Sequence, residues 1–193
     1  MADIRITLTG TSPLLCHNVA LADPDNPIVK EIKTITSKRV KTEEDRRAIE
    51  KLEWYGGLYT VAGIVGPAMP TGNIRKCLIE AAKTTKRGKD VSRAIAFTAL
   101  HVPLGYDGPR DIDVLFTDQS FHNRAAVKVS MARTMRVRPS FSTWQLAADG
   151  FLLDDVLDFD DLKRIIDRAG LAEGLGDNRV NGYGRFVGEV IKL

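Results

Sequence analysis

The chain has 193 residues, of which 44% are hydrophobic and 27% charged, with a formal net charge of +3. That length and balance suit a folded protein with a real core and exclude a disordered or collagen-like chain. The charge is too small by itself to mark a nucleic-acid binder. No apolar run is long enough to span a membrane and no signal peptide is visible, so a cytoplasmic protein with no membrane partner is expected.

Residues 3 to 9 alternate, with Ile4, Ile6 and Leu8 on one face and Arg5, Thr7 and Thr9 on the other, the pattern of a half-buried strand. Gly10 to Pro27 is rich in turn residues and reads as a long loop. Asn26 then caps a short helix with Pro27 at its first position and Ile28, Ile32 and Ile35 along one face. A second helix is expected from Thr42 to about Trp54, with acids in its first turn and Gly56-Gly57 ending it. The clearest helix follows Thr71, read as its cap, with Ile74, Cys77, Leu78, Ala81 and Ala82 at helical spacing. Its outer face and tail carry Arg75, Lys76, Lys83, Lys86, Arg87 and Lys89.

Ala94 to Val102 reads as a strand, and GYDGPRDIDVLF as a loop without periodicity. Further strands are expected at 125 to 131 and at 143 to 153, the second with Trp144, Leu146 and Ala148 on one side. Asp158 caps a last helix whose core face is Phe159, Leu162, Ile165, Ile166 and Ala169, ended by Gly170. Phe186 to Leu193 is a terminal strand. With residues 11 to 70 and 103 to 142 set aside as insertions, a βαββαβ core remains at about 3–10, 71–102 and 143–193. The expectation is one α+β domain, a ferredoxin-like (RRM-like) core with an antiparallel sheet and two long insertions. Insertions of that length in a small fold are usually functional or disordered. Cys16 and Cys77 read as reduced thiols, Cys77 buried on a helical face, and neither shows metal-ligand spacing.

Charge is distributed unevenly. From Arg124 to Arg138 lie Arg124, Lys128, Arg133, Arg136 and Arg138 without an acid, and an extended backbone puts Arg136 and Arg138 on one face. Asp149 to Asp161 holds six acids and no base. A basic stripe suits a phosphate backbone, and an acidic patch could meet the basic stripe of a second copy head-to-tail. Solvated faces are the alternative reading of both.

GLGDNRVNGYGRF, residues 174 to 186, follows a helix and precedes a strand. Phosphate-cradling loops do the reverse, and the required lysine and following helix are absent, so the loop is neither a Walker loop nor a dinucleotide loop and speaks against a nucleotide hydrolase. Gly174, Gly176, Gly182 and Gly184 read as residues of backbone geometry. Arg179, Tyr183 and Arg185 are candidates for strand contacts.

This loop between the last helix and last strand resembles the glycine-rich loop of the RAMP superfamily, ferredoxin-like subunits of CRISPR effector complexes. GPAMPTGNIRKCLIEAAK is similar to the turn that leads into the family's first core helix, and the insertion after the first strand resembles the thumb-like and palm-like additions of backbone subunits. RPSFSTW and GLGDNR further resemble motifs of small phage-encoded proteins. The resemblance implies a non-catalytic protein that binds single-stranded RNA or DNA through the backbone, largely independently of sequence, and forms a head-to-tail homo-oligomer along it. No cofactor or metal is expected. The residues assigned to the strand are Arg75, Lys76, Arg124, Lys128, Arg133, Arg136, Arg138, Arg179, Tyr183 and Arg185, with Phe141 and Trp144 as further stacking candidates and Trp144 also suited to the core.

The family also contains metal-independent endoribonucleases that use a histidine. His17, His101 and His122 form no pair or triad by spacing. Asp23 and Asp25 occupy a position where some backbone subunits carry a cleaving aspartate, and a turn with a helix cap explains them equally well. An endoribonuclease and a phage protein that mimics a CRISPR subunit are therefore the alternatives.

Overall fold

In the computed structural model, which describes residues 1–129 and 132–193, the chain runs in this order. First come β1 (Ala2–Gly10), β2 (Leu14–Leu15), α1 (Pro27–Thr36), α2 (Glu43–Gly57), β3 (Ala68–Pro70), α3 (Thr71–Lys83) and α4 (Gly88–Ala94). Then follow β4 (Ile95–Phe97), β5 (His101–Pro103), α5 (Ile112–Thr117), β6 (His122–Val129), β7 (Ala132–Phe141), β8 (Gln145–Leu152), α6 (Phe159–Arg168) and β9 (Phe186–Lys192).

The alternation of β1 decides the core. Ile4, Ile6 and Leu8 are buried, while Arg5 on the other face bonds Asp149 of β8 at 2.6 Å. β1 pairs antiparallel with both β8 and β9, and β8 with β4, so the sheet order is β4-β8-β1-β9. α3 links the first of these strands in sequence to the second, and α6 links the third to the fourth. Those are the two interleaved βαβ units of a ferredoxin-like α+β fold. Ile74, Cys77, Leu78 and Ala81 of α3 and Leu162, Ile165 and Ile166 of α6 cover the apolar side of the sheet.

The segment between β1 and α3 carries more order than a loop. β2 pairs with β7, a short 3-10 turn spans Val19–Ala22, and Asn26 caps α1 as expected, its side chain accepting from Ile28 N. Thr42 and Asp45 close a capping box on α2. Four further sequence expectations change. Thr71 does not cap α3; Pro70 occupies that place, and the buried Thr71 hydroxyl donates to Ala99 O at 2.7 Å, tying the helix to the 98–100 turn. The strand expected at 94–102 is two short strands, because α4 persists to Ala94 and Thr98 turns onto Asp149 O. GYDGPRDIDVLF contains α5, whose N-cap Asp111 accepts from Asp113 N and Val114 N. Gly170 does not end α6: a wide turn continues through Ala169–Glu173, and Gly170 serves close approach to the carbonyl of Phe186.

The second inserted segment builds a long hairpin. β6 and β7 pair antiparallel from His122↔Pro139 to Val129↔Ala132. At its root an aromatic cluster joins it to α2, with His122 stacked on Trp54 at 5.3 Å and the Trp54 indole N–H donating to Phe121 O at 3.0 Å. Glu53 caps the edge that β2 leaves open, accepting from Val137 N at 3.2 Å.

Candidate nucleic-acid interface

The glycine-rich loop is a brace. Its Asp177 N donates to Leu15 O and its Gly184 N to Pro13 O, both at 2.8 Å. Ser12 Oγ donates to Gly182 O and accepts from Arg185 N, and the Cys77 thiol donates to Gly174 O. Gly176 and Gly184 stand at φ 79° and 70°, and a Cβ at either would collide with a carbonyl oxygen, that of Leu15 or Leu175. Backbone conformation and contact both demand glycine there.

This brace positions the basic residues, and it does not keep them in one stripe. Register across the hairpin places Arg124 opposite Val137, and Val137 and Arg133 fall on the same side of β7, so Arg124 and Arg133 share one face. Arg136 and Arg138 take the other face, because side chains alternate along a strand. The backbone of Lys128 belongs to β6; its side chain lies outside the described residues. Arg133 is exposed. Arg124 pairs with Glu50 at 2.6 Å, Arg136 with the buried Glu53, and Arg138 with Asp177 of the glycine-rich loop at 2.7 Å.

The remaining candidates divide in the same way. Arg75 straps α3 to α4 through Ser92 O. Arg185 bonds Arg179 O at 3.2 Å and stays within the loop. The Tyr183 hydroxyl accepts from Asn123 of β6 at 3.3 Å, tying loop to hairpin. Phe141 and Trp144 are fully or almost fully buried, which removes them as stacking platforms.

What the fold does bring together is a groove in two parts that meet at His17. One part, about 430 Å3, lies at the hairpin root and includes Arg136, Arg138, Glu53 and His17. The other, about 180 Å3, runs between α3 and the glycine-rich loop and includes His17, Asn73, Lys76, Asp177 and Arg179. Arg136 and Arg138 thus line one cleft and Lys76 and Arg179 the other, with His17 in the lining of both. Desolvation pulls the His17 pKa down from 6.5, Arg138 and Arg136 push it the same way, and Asp177 and Glu53 oppose them. Cys16 and Cys77 also border the second cleft, and burial pushes both thiols up to about 12, leaving them inert.

Sequence reasoning missed two contributors. His17 reads from the sequence as a residue of the first inserted loop that could touch a ligand, and its place in the groove depends on residues over 100 positions away. The end of α1 and the turn after it add cations: Lys33 is exposed in α1, Lys38 and Arg39 in the turn, with Lys41 beside them and Lys38 paired with Asp45 at 2.6 Å. Five cations against one acid between Lys30 and Lys41 were the available signal.

The other titratable candidates are accounted for locally. His122 Nε2 sits 2.8 Å from Phe116 O inside the aromatic cluster. His101 lies in β5, away from both parts of the groove. Asp23 accepts from Asp25 N, and Asp25 pairs with Lys30 at 2.9 Å. Among the described residues no group of three His, Cys, Asp or Glu is placed to hold a metal ion. Of the acidic run, Asp149 pairs with Arg5, Asp154 with the N-terminal amine and Asp161 with Arg87 and Arg164. No described helix is long and apolar enough to cross a membrane.

No family model matches the chain, and no curated protein matches it. Among solved structures, it is similar to a chain in the cryo-EM structure of the Type III-B Cmr-beta bound to cognate target RNA, at a TM-score of 0.45 and 10% identity. The match covers 99% of this chain and 61% of that one, so the chain spans about three-fifths of the length of that neighbour.

Proposed function

We propose that this chain binds single-stranded nucleic acid, RNA or DNA, mainly through the phosphate backbone, and assembles head-to-tail along it without cutting it. The observation that carries the reading is the pair of neighbouring clefts that share His17, one lined by Arg136 and Arg138 and the other by Lys76 and Arg179. Glu53 and Asp177 hold the two hairpin arginines in place, so little side-chain freedom is lost on binding. The exposed cations of the α1–α2 turn and Arg133 extend the positive surface. The sheet order and the placement of the glycine-rich loop support a relationship to the RAMP superfamily. Exposed Asp155, Asp158 and Asp160 offer the acidic half of a head-to-tail contact.

Titration of fluorescent U15 and dT15 against the protein at rising salt tests this. With about four phosphates neutralised, affinity falls about fifty-fold between 50 and 200 mM salt. Equal binding at both salts overturns the reading. Assembly is checked by the size of the particle on a column and its absorbance ratio at 260 and 280 nm.

A second reading, RNA cleavage, is favoured by one observation: His17 is the histidine that lines the groove. Cleavage products without added metal that vanish in His17→Ala would establish it, and intact RNA after prolonged incubation removes it.

A further inference from the structure

The part of the groove at the hairpin root has walls that backbone binding does not use. Leu21 of the 3-10 turn, Val29 and Ile32 of α1 and Val127 of β6 line it beside Arg136 and Arg138. α1 buries no residue in the core: Ile28 packs beside Gly56 of α2, and Val29 and Ile32 line this cleft. The volume, about 430 Å3, falls in the range of small-molecule sites and is too small for a duplex.

The aliphatic walls themselves offer a phosphate nothing, because a charge pressed against them loses its hydration, so a backbone held at the arginines leaves them uncovered. The donors left in the cleft are specific. Arg136 commits Nη1 to Glu53, and Arg138 commits Nε to Asp177. Both oxygens of Glu53 are taken, by Arg136 and by Val137 N. A guanidinium has five N–H donors in a planar fork, so each arginine keeps donors in hand and no acceptor. The matching ligand has an apolar planar body and two adjacent acceptors on one edge. Guanine fits, through N7 and O6, the pair that arginine binds bidentately; adenine places a donor beside N7, and cytosine, whose O2 and N3 are also adjacent acceptors, brings only a single ring to walls that a two-ring base covers.

We infer that the cleft between α1 and the root of the β6–β7 hairpin takes one guanine base turned out of the bound strand and reads it with Arg136 or Arg138. The inference rests on the single-strand reading above and adds a base preference to it.

The test is fluorescence anisotropy at fixed salt with U15 and with U15 carrying one central guanine, adenine, cytosine, inosine or 7-deazaguanine. Guanine and inosine, which keep O6 and N7, bind roughly tenfold more tightly than U15. Adenine, cytosine and 7-deazaguanine bind like U15. Val29→Trp fills the cleft from a partly exposed helix position; it abolishes the guanine preference and retains U15 affinity. Arg136→Lys and Arg138→Lys each keep the charge but not the fork; in at least one of them guanine and inosine bind no more tightly than U15 measured on the same variant, and a preference that survives in both overturns the base reading. Equal affinity for all probes, with U15 still bound, overturns the base reading alone. Failure of every probe to bind overturns the single-strand reading and this one with it.

Discussion

The β4-β8-β1-β9 sheet and the β6–β7 hairpin are both antiparallel ladders, yet different forces hold them. The sheet is fixed by alternation: Ile4, Ile6, Leu8, Leu146, Ala148 and Val190 are buried against α3 and α6. The hairpin is fixed by polar clamps at its root, Glu53 to Arg136 and Val137, Arg138 to Asp177, Asn123 to Tyr183, with an aromatic cluster beside them. Apolar area stabilises without direction, whereas a buried carboxylate stabilises only with its partners in place. The lesson is that the scaffold can absorb shape changes, and the hairpin root cannot absorb a change of charge.

Substitutions can break or sharpen this contrast. The largest effect is expected at the brace that joins the two regions. Gly184→Ala combines a left-handed backbone with a collision against Leu175 O, and costs about 4 kcal/mol in urea unfolding. Leu8→Ala in the sheet costs about 3 kcal/mol and leaves oligonucleotide binding intact wherever the protein is folded. Glu53→Gln costs about 2 kcal/mol and weakens binding, since Arg136 loses its anchor. A cycle with Arg136→Met shows coupling between the two, and additivity within 0.5 kcal/mol or so would break the comparison. Next, iodoacetamide at pH 8 leaves the native protein unmodified and adds to both thiols in urea, because Cys16 and Cys77 titrate at about 12 when folded. Mass spectrometry reads the outcome. The smallest effect is at His17. Its folded pKa lies below 6.5, so the unfolded chain takes up the proton first. Stability is full above pH 6.5 and declines as pH falls through that value toward the folded pKa. The urea midpoint of the wild type therefore drops more between pH 7 and pH 5 than that of His17→Gln.

The same contrast explains what could be read from the chain. Elements set by local pattern were legible: the period of β1, the Asn26-Pro27 start of α1, the Thr42 cap of α2, the apolar face of α3 and the Asp158 cap of α6. So was the ferredoxin-like order, because two helices between alternating strands leave few arrangements. β7 was not legible as a strand: Arg-Val-Arg-Pro-Ser-Phe alternates, but its pairing partners lie in β6 and β2. Nor were the ion pairs. Nothing in RVRPS announces that Arg136 meets a carboxylate 83 residues earlier or that Arg138 meets Asp177. The candidate groove is assembled by such distant pairs, so the individual cations were visible and their grouping was not.

One feature of the sheet bears on how the protein is made. β1 has β8 on one side and β9 on the other, so the earliest strand in the chain has no sheet partner until residues 145 to 192 exist. At ribosomal speeds the interval is about ten to thirty seconds. Throughout it Ile4, Ile6 and Leu8 are an apolar strand without a ladder, while α1, α2 and the hairpin can form behind it. Yield in a cell is then set by whatever shields those few residues during synthesis, and slower translation should lower it.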